Sequence, residues 1–122
     1  MPDLNETDLL HLFIARVPYA LPGVRVFRRP IINATATAHG RTFHVRNGIT
    51  GQADAYAITR GGLHVELETK AATGRLAEAQ SAWRSFCQEF SIPHLVLRAE
   101  RYEHPDATVE RWIRELGEEV AR

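Results

Sequence analysis

The chain has 122 residues, of which 44% are apolar, enough for one domain with an ordinary buried core and too many for a disordered tail or a fibre. Fifteen Lys plus Arg balance fifteen Asp plus Glu, so bulk charge alone gives no reason to expect a nucleic-acid partner. The single Cys87 excludes an internal disulfide and a cysteine-based zinc site and fits a reducing interior. Met1-Pro2-Asp3 begins no signal peptide and no window approaches the ~20 apolar residues of a membrane span, so a cytoplasmic protein with no membrane partner is expected. The neutral total hides an asymmetry: residues 9–53 contain no acid, while Arg16, Arg25, Arg28, Arg29, Arg41 and Arg46 all fall there. Every other cation is also Arg, except Lys70.

In chain order, Leu9, Leu12, Phe13 and Val17 recur at helical spacing, and Asp3 with Glu6 three residues on resembles a capping box. This predicts an amphipathic helix over 4–16, stopped by Pro18 and Pro22-Gly23. Residues 24–28 mix apolar and basic side chains like a half-buried strand, and Pro30 demotes the next segment to an edge or a turn. A second short strand is expected over 41–46, with Phe43 and Val45 on one face. Asn47-Gly48 suits a tight hairpin turn, and an irregular loop through Gly51 into Asp54 is the equal alternative. Residues 53–59 and 63–70 read as two strands joined by Arg60-Gly61-Gly62. Leu76, Ala79, Trp83, Phe86, Cys87 and Phe90 form an apolar stripe at helical period, predicting a helix over 75–90. A strand over 94–98 and a helix over 106–121, burying Val109, Trp112, Ile113, Leu116 and Val120, complete the chain. The whole predicts a single α/β domain over 1–122, a mixed central sheet flanked by helices.

The chemistry is concentrated in the central hairpin. Alternation over 63–70 puts His64, Glu66, Glu68 and Lys70 on one face and Leu63, Val65 and Leu67 on the other. With a three-residue loop and Thr59 opposite Leu63, Asp54 falls directly across from Glu68. Two facing carboxylates repel unless a cation lies between them. Beside that pair stands the only Lys, a compact ammonium that can approach a water or phosphoryl oxygen as a point charge, where a guanidinium is a wide planar fork. Oxygen-only ligands suit Mg²⁺ or Mn²⁺, which bridge carboxylates to a substrate phosphate. The plainer alternative is a strand whose polar face is merely wet.

Gly51-Gln52-Ala53-Asp54, then Val65-Glu66-Leu67-Glu68-Thr69-Lys70, then Thr73-Gly74-Arg75-Leu76 with Gln80 and Trp83 form an ordered set at short spacings. In these residues, with Phe27-Arg28 and Glu6 upstream, the sequence resembles the PD-(D/E)XK nuclease superfamily and, within it, the VRR-NUC family of stand-alone phage-type nucleases related to Holliday-junction resolvases. The resemblance spans about 6–98, and Ala53 departs from it where the family usually has proline. It implies a restriction-endonuclease-like core of order α-β-β-β-α-β-α. It also implies a Mg²⁺-dependent endonuclease acting on branched or structured DNA, Holliday junctions among them, as a homodimer, in the cytoplasm of a host if phage-encoded. Asp54 and Glu68 would bind the metal with the main-chain carbonyl of Thr69, and Lys70 would position or help deprotonate the attacking water. Glu6 would complete the ligand set, in competition with Asp8 and with its own role as a helix cap. Gln80 would orient a ligand or phosphate, or else be a solvated helix residue.

Arg28, Arg29, Arg41 and Arg46 are the candidate nucleic-acid track, on the strength of the acid-free stretch that holds them. Trp83 is expected in the core because it lies on the apolar stripe. His64 and Glu66 lie toward the turn, where solvent exposure is preferred over a role behind the ligands or against substrate. The six histidines show no metal-ligand spacing. The rivals to an active nuclease are a nucleic-acid-binding member of the same fold that does not cut, and a small α/β interaction domain.

Overall fold

A computed structural model describes residues 4–30, 33–46 and 49–122, with the side chains of 33–36 and 43–46 outside the description. The predicted capping role of Asp3 and the Asn47-Gly48 turn lie outside the described residues, as do the side chains of Phe43, Val45 and Arg46. The order is α1 (Glu6–Ala20), β1 (Val24–Arg28), β2 (Asn33–Ala38), β3 (Arg41–Arg46), β4 (Ala55–Thr59), β5 (His64–Lys70), α2 (Glu78–Glu89), β6 (His94–Arg98) and α3 (Pro105–Val120).

The N-cap of α1 is Asn5, whose Oδ1 accepts the Asp8 N–H at 2.8 Å and so satisfies one of the helix's unpaired donors. Pro18 does not stop the helix. It removes one donor in the last turn, yet the fully buried Val17 holds that turn against the core and the Leu21 N–H still bonds to the Val17 carbonyl at 2.7 Å.

β1, β4, β5 and β6 form a mixed four-stranded sheet in the order β1-β4-β5-β6, antiparallel except for the β5–β6 pair. β2, in the segment read as an edge or a turn after Pro30, pairs with β3 in a separate two-stranded sheet. Alternation along the strands gives the four-stranded sheet two different faces. Val24, Val26, Ala55, Ala57, Val65, Leu67 and Leu97 form the core with Leu9, Phe13 and Val17 of α1 and Val109, Trp112 and Leu116 of α3. Trp112 meets Phe13 edge-on, with centroids 5.9 Å apart, and gives its indole N–H to the Arg98 carbonyl. The sheet's second face carries the polar and aromatic residues.

The apolar stripe of α2 behaves differently from its pattern: only Cys87 is buried, Trp83 is half-buried, and Phe86 and Phe90 are 40% and 61% exposed. The reason lies in what it faces. The apolar sheet face is already covered by α1 and α3, so the inward residues of α2 meet charged side chains instead. No helix among the described residues is long and apolar enough to cross a membrane.

Candidate metal centre

The β4–β5 hairpin has the register that its odd-length loop implies. Thr59 N–H bonds to the Leu63 carbonyl at 2.9 Å, Gly62 closes the turn at φ +89°, and Ala55 faces Leu67. The ladder ends at that pair, with Asp54 immediately before Ala55 and Glu68 immediately after Leu67.

These two carboxylates are held differently. Asp54 Oδ2 accepts both the backbone N–H of Thr69 at 2.9 Å and its hydroxyl at 2.8 Å. Glu68 is 1% exposed; its Oε1 accepts the Gln80 amide at 2.7 Å, while Oε2 is buried with no hydrogen-bond partner among the described residues. Burial first, and then the neighbouring Asp54, push the Glu68 carboxyl up to about 8 against the opposing charge of Lys70. Lys70 makes no ion pair among the described residues. A desolvated Glu68 oxygen beside the Asp54 carboxylate is an environment that a proton satisfies, as the raised Glu68 carboxyl shows, and that a cation would satisfy in its place; an oxygen-only donor set of this kind is one that Mg²⁺ or Mn²⁺ accepts.

Gln80 is thus not a solvated helix residue. Its Oε1 accepts the Ala77 N–H at 2.8 Å at the start of α2, which leaves its amide nitrogen aimed at Glu68. Gly51 sets the height of that helix start. Its φ is +88°, and a Cβ there would lie 2.2 Å from the Ala79 carbonyl oxygen, so only glycine lets the segment entering Asp54 lie against α2.

Glu6, Thr7 and Leu10 of α1 line a cleft of about 310 Å³ with Arg28, Arg29, Pro30, Asp54 and Thr69. Glu6 itself accepts the Ala71 N–H at 2.8 Å, fastening the residue that follows Lys70 to the start of α1. Arg98 holds the same loop from the other side, donating to the carbonyls of Ala71 and Gly74. Among the described residues no three His, Cys, Asp or Glu converge where one ion could be held. Glu6 therefore shares the cleft with Asp54 without joining the Asp54 and Glu68 carboxylates at a common point.

Glu66 is the residue that sequence reasoning placed wrongly. It is 1% exposed and fully engaged: Arg29 grips both oxygens at 2.8 Å, His64 Nε2 lies 2.5 Å from Oε2, and the Trp83 indole donates to Oε1 at 3.0 Å. Burial alone would raise this carboxyl, but the hydrogen bonds of Arg29 and His64, the charge of Arg29 and the bond from Trp83 together hold it below the usual carboxylate range. Trp83 therefore spans from the apolar stripe to a charged cluster rather than sitting in the core. The signal available in the sequence was the excess of Arg in the acid-free stretch, which can supply a buried partner as readily as a phosphate track.

The candidate track is dispersed. Arg28 is exposed at the cleft; Arg29 is committed to Glu66, to the Ala53 carbonyl and to the Tyr56 ring, whose centroid is 4.9 Å away. Arg41 is exposed on β3, in the other sheet, and the Arg46 backbone belongs to that strand.

Fold and site together define an α/β protein with a mixed four-stranded sheet flanked by three helices and, at the end of its central hairpin, a buried Glu68 beside a half-buried Asp54. No family model matches the chain, and neither does any curated protein compared with it.

Proposed function

We propose that the protein is a Mg²⁺- or Mn²⁺-dependent endonuclease of the VRR-NUC type, hydrolysing phosphodiester bonds in branched or structured DNA. The observation that carries this reading is Glu68 Oε2, buried beside Asp54 with no hydrogen-bond partner among the described residues and within reach of the charge of Lys70. The order of elements on the four-stranded sheet and its helices supports a PD-(D/E)XK core, with the β2–β3 hairpin an insertion between β1 and β4.

In this reading Asp54 and Glu68 would hold the cation, with the Thr69 carbonyl as a further donor. A cation held there would supply Lewis acidity toward the phosphate and make water a better nucleophile. Thr69 fixes Asp54 through two hydrogen bonds, and Gln80 fixes Glu68 through one, so neither carboxylate needs to reorganise on binding. Lys70 orients the attacking water and offsets charge on the phosphate. Arg28, exposed on the cleft, contacts the adjacent backbone phosphate. Glu6 acts through the loop that follows Lys70. A four-way junction as substrate would require two sites, hence a homodimer, and the reaction belongs in the cytoplasm, a host's if the protein is phage-encoded.

The test is cleavage of labelled duplex, flap and four-way junction DNA with and without Mg²⁺ or Mn²⁺. The reading expects incision only with the cation; intact DNA in every arm contradicts it.

A further inference from the structure

The second face of the sheet holds a row of aromatic rings that the metal centre does not use. Phe27 of β1 stacks on Tyr56 of β4 at 5.5 Å between centroids and 29° between planes, and Tyr56 stacks on His64 of β5 at 5.3 Å and 11°. Phe27 faces Tyr56 in the ladder, and Tyr56 faces Glu66, so the row lies on the face that carries Glu66 and Glu68. β1 is the edge strand, which makes Phe27 the end ring, and it is 47% exposed.

Beyond that ring lies a shallow pocket of about 420 Å³, lined by Phe27 and Ile58 and rimmed by Arg25 and Arg60. Arg25 Nη1 donates to the carbonyls of Pro22 and Val24, both at 2.8 Å, which fixes its guanidinium at the rim; Arg60 is exposed. A flat apolar ring beside fixed positive charge is how proteins bind single-stranded nucleic acid, the base stacking on the ring and the phosphate meeting the cation. Tyr56 of β4 follows Asp54, which precedes that strand, by two residues, roughly 7 Å if the chain is extended there and about two steps of stacked bases.

We infer that Phe27 is a binding site for an unpaired nucleobase, extending the ring row at the sheet edge and leading a single strand from Arg25 and Arg60 toward the carboxylate pair. The inference rests on the nuclease reading only in supposing that the same strand continues to Asp54 and Glu68. It narrows the substrate to nucleic acid with an unpaired segment, such as a flap or fork.

The site is tested by fluorescence anisotropy with labelled single-stranded DNA and RNA oligonucleotides in EDTA, where no cleavage occurs. Phe27→Ala should weaken binding about ten-fold or more, the loss of one base-on-ring stack, whereas Phe27→Trp should bind like wild type and have its emission quenched by the oligonucleotide. Unchanged melting temperatures establish that both variants fold. Equal affinity of Phe27→Ala and wild type, or no binding of either oligonucleotide by wild type, overturns the proposal. Stacking without Mg²⁺-dependent cleavage leaves the base site standing and removes the nuclease; cleavage of flaps with the KM of Phe27→Ala unchanged does the reverse.

Discussion

Arg29 holds Glu66 by two parallel hydrogen bonds of 2.8 Å, with Arg29 one residue past the edge strand β1 and Glu66 on β5, where Trp83 of α2 also reaches it. A planar guanidinium matches a carboxylate in this way, and an ammonium does not. Removing Arg29 leaves Glu66 buried with one fewer partner for each oxygen, so Arg29→Ala should lower stability by about 3–5 kcal/mol and Arg29→Lys should recover only part of it. Urea denaturation measures both. A loss below about 1 kcal/mol for Arg29→Ala would mean that His64 and Trp83 suffice for Glu66.

Gly51 makes a sharper structural prediction. Gly51→Ala places a Cβ 2.2 Å from the Ala79 carbonyl oxygen at a φ of +88°, whereas at Gly61 the nearest atom to a Cβ is Thr59 Oγ1 at 3.9 Å. Gly51→Ala should therefore destabilise by more than about 1 kcal/mol and displace the start of α2, and Gly61→Ala should be close to neutral. Thermal melting of the two variants, which share the same chemical change, separates the effect of position from that of composition. Equal melting temperatures would refute the close approach.

The pH dependence of stability follows from Glu68. Its carboxyl is raised to about 8 in the folded protein from an ordinary 4.5, burial being the leading cause, so between these values the native state binds the proton more tightly than the unfolded chain does. This contribution is complete below the unfolded pKa and is lost as pH rises through the folded one. The melting temperature in EDTA should accordingly fall as pH rises from about 5 to about 9, by roughly 5 °C or more. Glu68→Gln, which carries no proton to lose, should flatten the profile, and a profile that rises across the window for wild type would contradict this environment for Glu68.

Cation binding gives a related but separate expectation. A ligand that binds only the native state raises the melting temperature with concentration, so Mg²⁺ at neutral pH should stabilise wild type and leave Asp54→Asn and Glu68→Gln unmoved. Differential scanning fluorimetry over a Mg²⁺ titration measures this without any substrate. Equal shifts in all three proteins would place the cation elsewhere.

The parts of this molecule that were legible in the sequence are those governed by local rules. The period of two over 63–70, together with an odd-length loop, is enough to set the register that ends at Ala55 opposite Leu67 and so brings Asp54 and Glu68 to the same end of the hairpin, because a one-residue slip would reverse every side chain of the strand. What was not legible depends on which surface each element meets. The stripe on α2 carries the same pattern as a core helix, and its partial exposure follows only from α1 and α3 having taken the apolar sheet face. Glu66 looked like a wet residue near a turn, and its burial follows from an arginine 37 positions away. The Asn33–Ala38 strand of alternating Ala and Thr lacks the large apolar side chains that mark a buried strand, and it pairs in a sheet of its own.

The central claim is that Asp54 and Glu68, assisted by Lys70, hold and use a divalent cation to cut nucleic acid. The most direct measurement is the single-turnover cleavage rate of a labelled branched DNA in Mg²⁺, comparing wild type with Asp54→Asn and Lys70→Ala at matched melting temperatures. Wild type should cut, and both variants should fall by about a hundred-fold or more, the scale of losing a group that acts on the transition state. Undiminished cleavage by either variant would contradict the account.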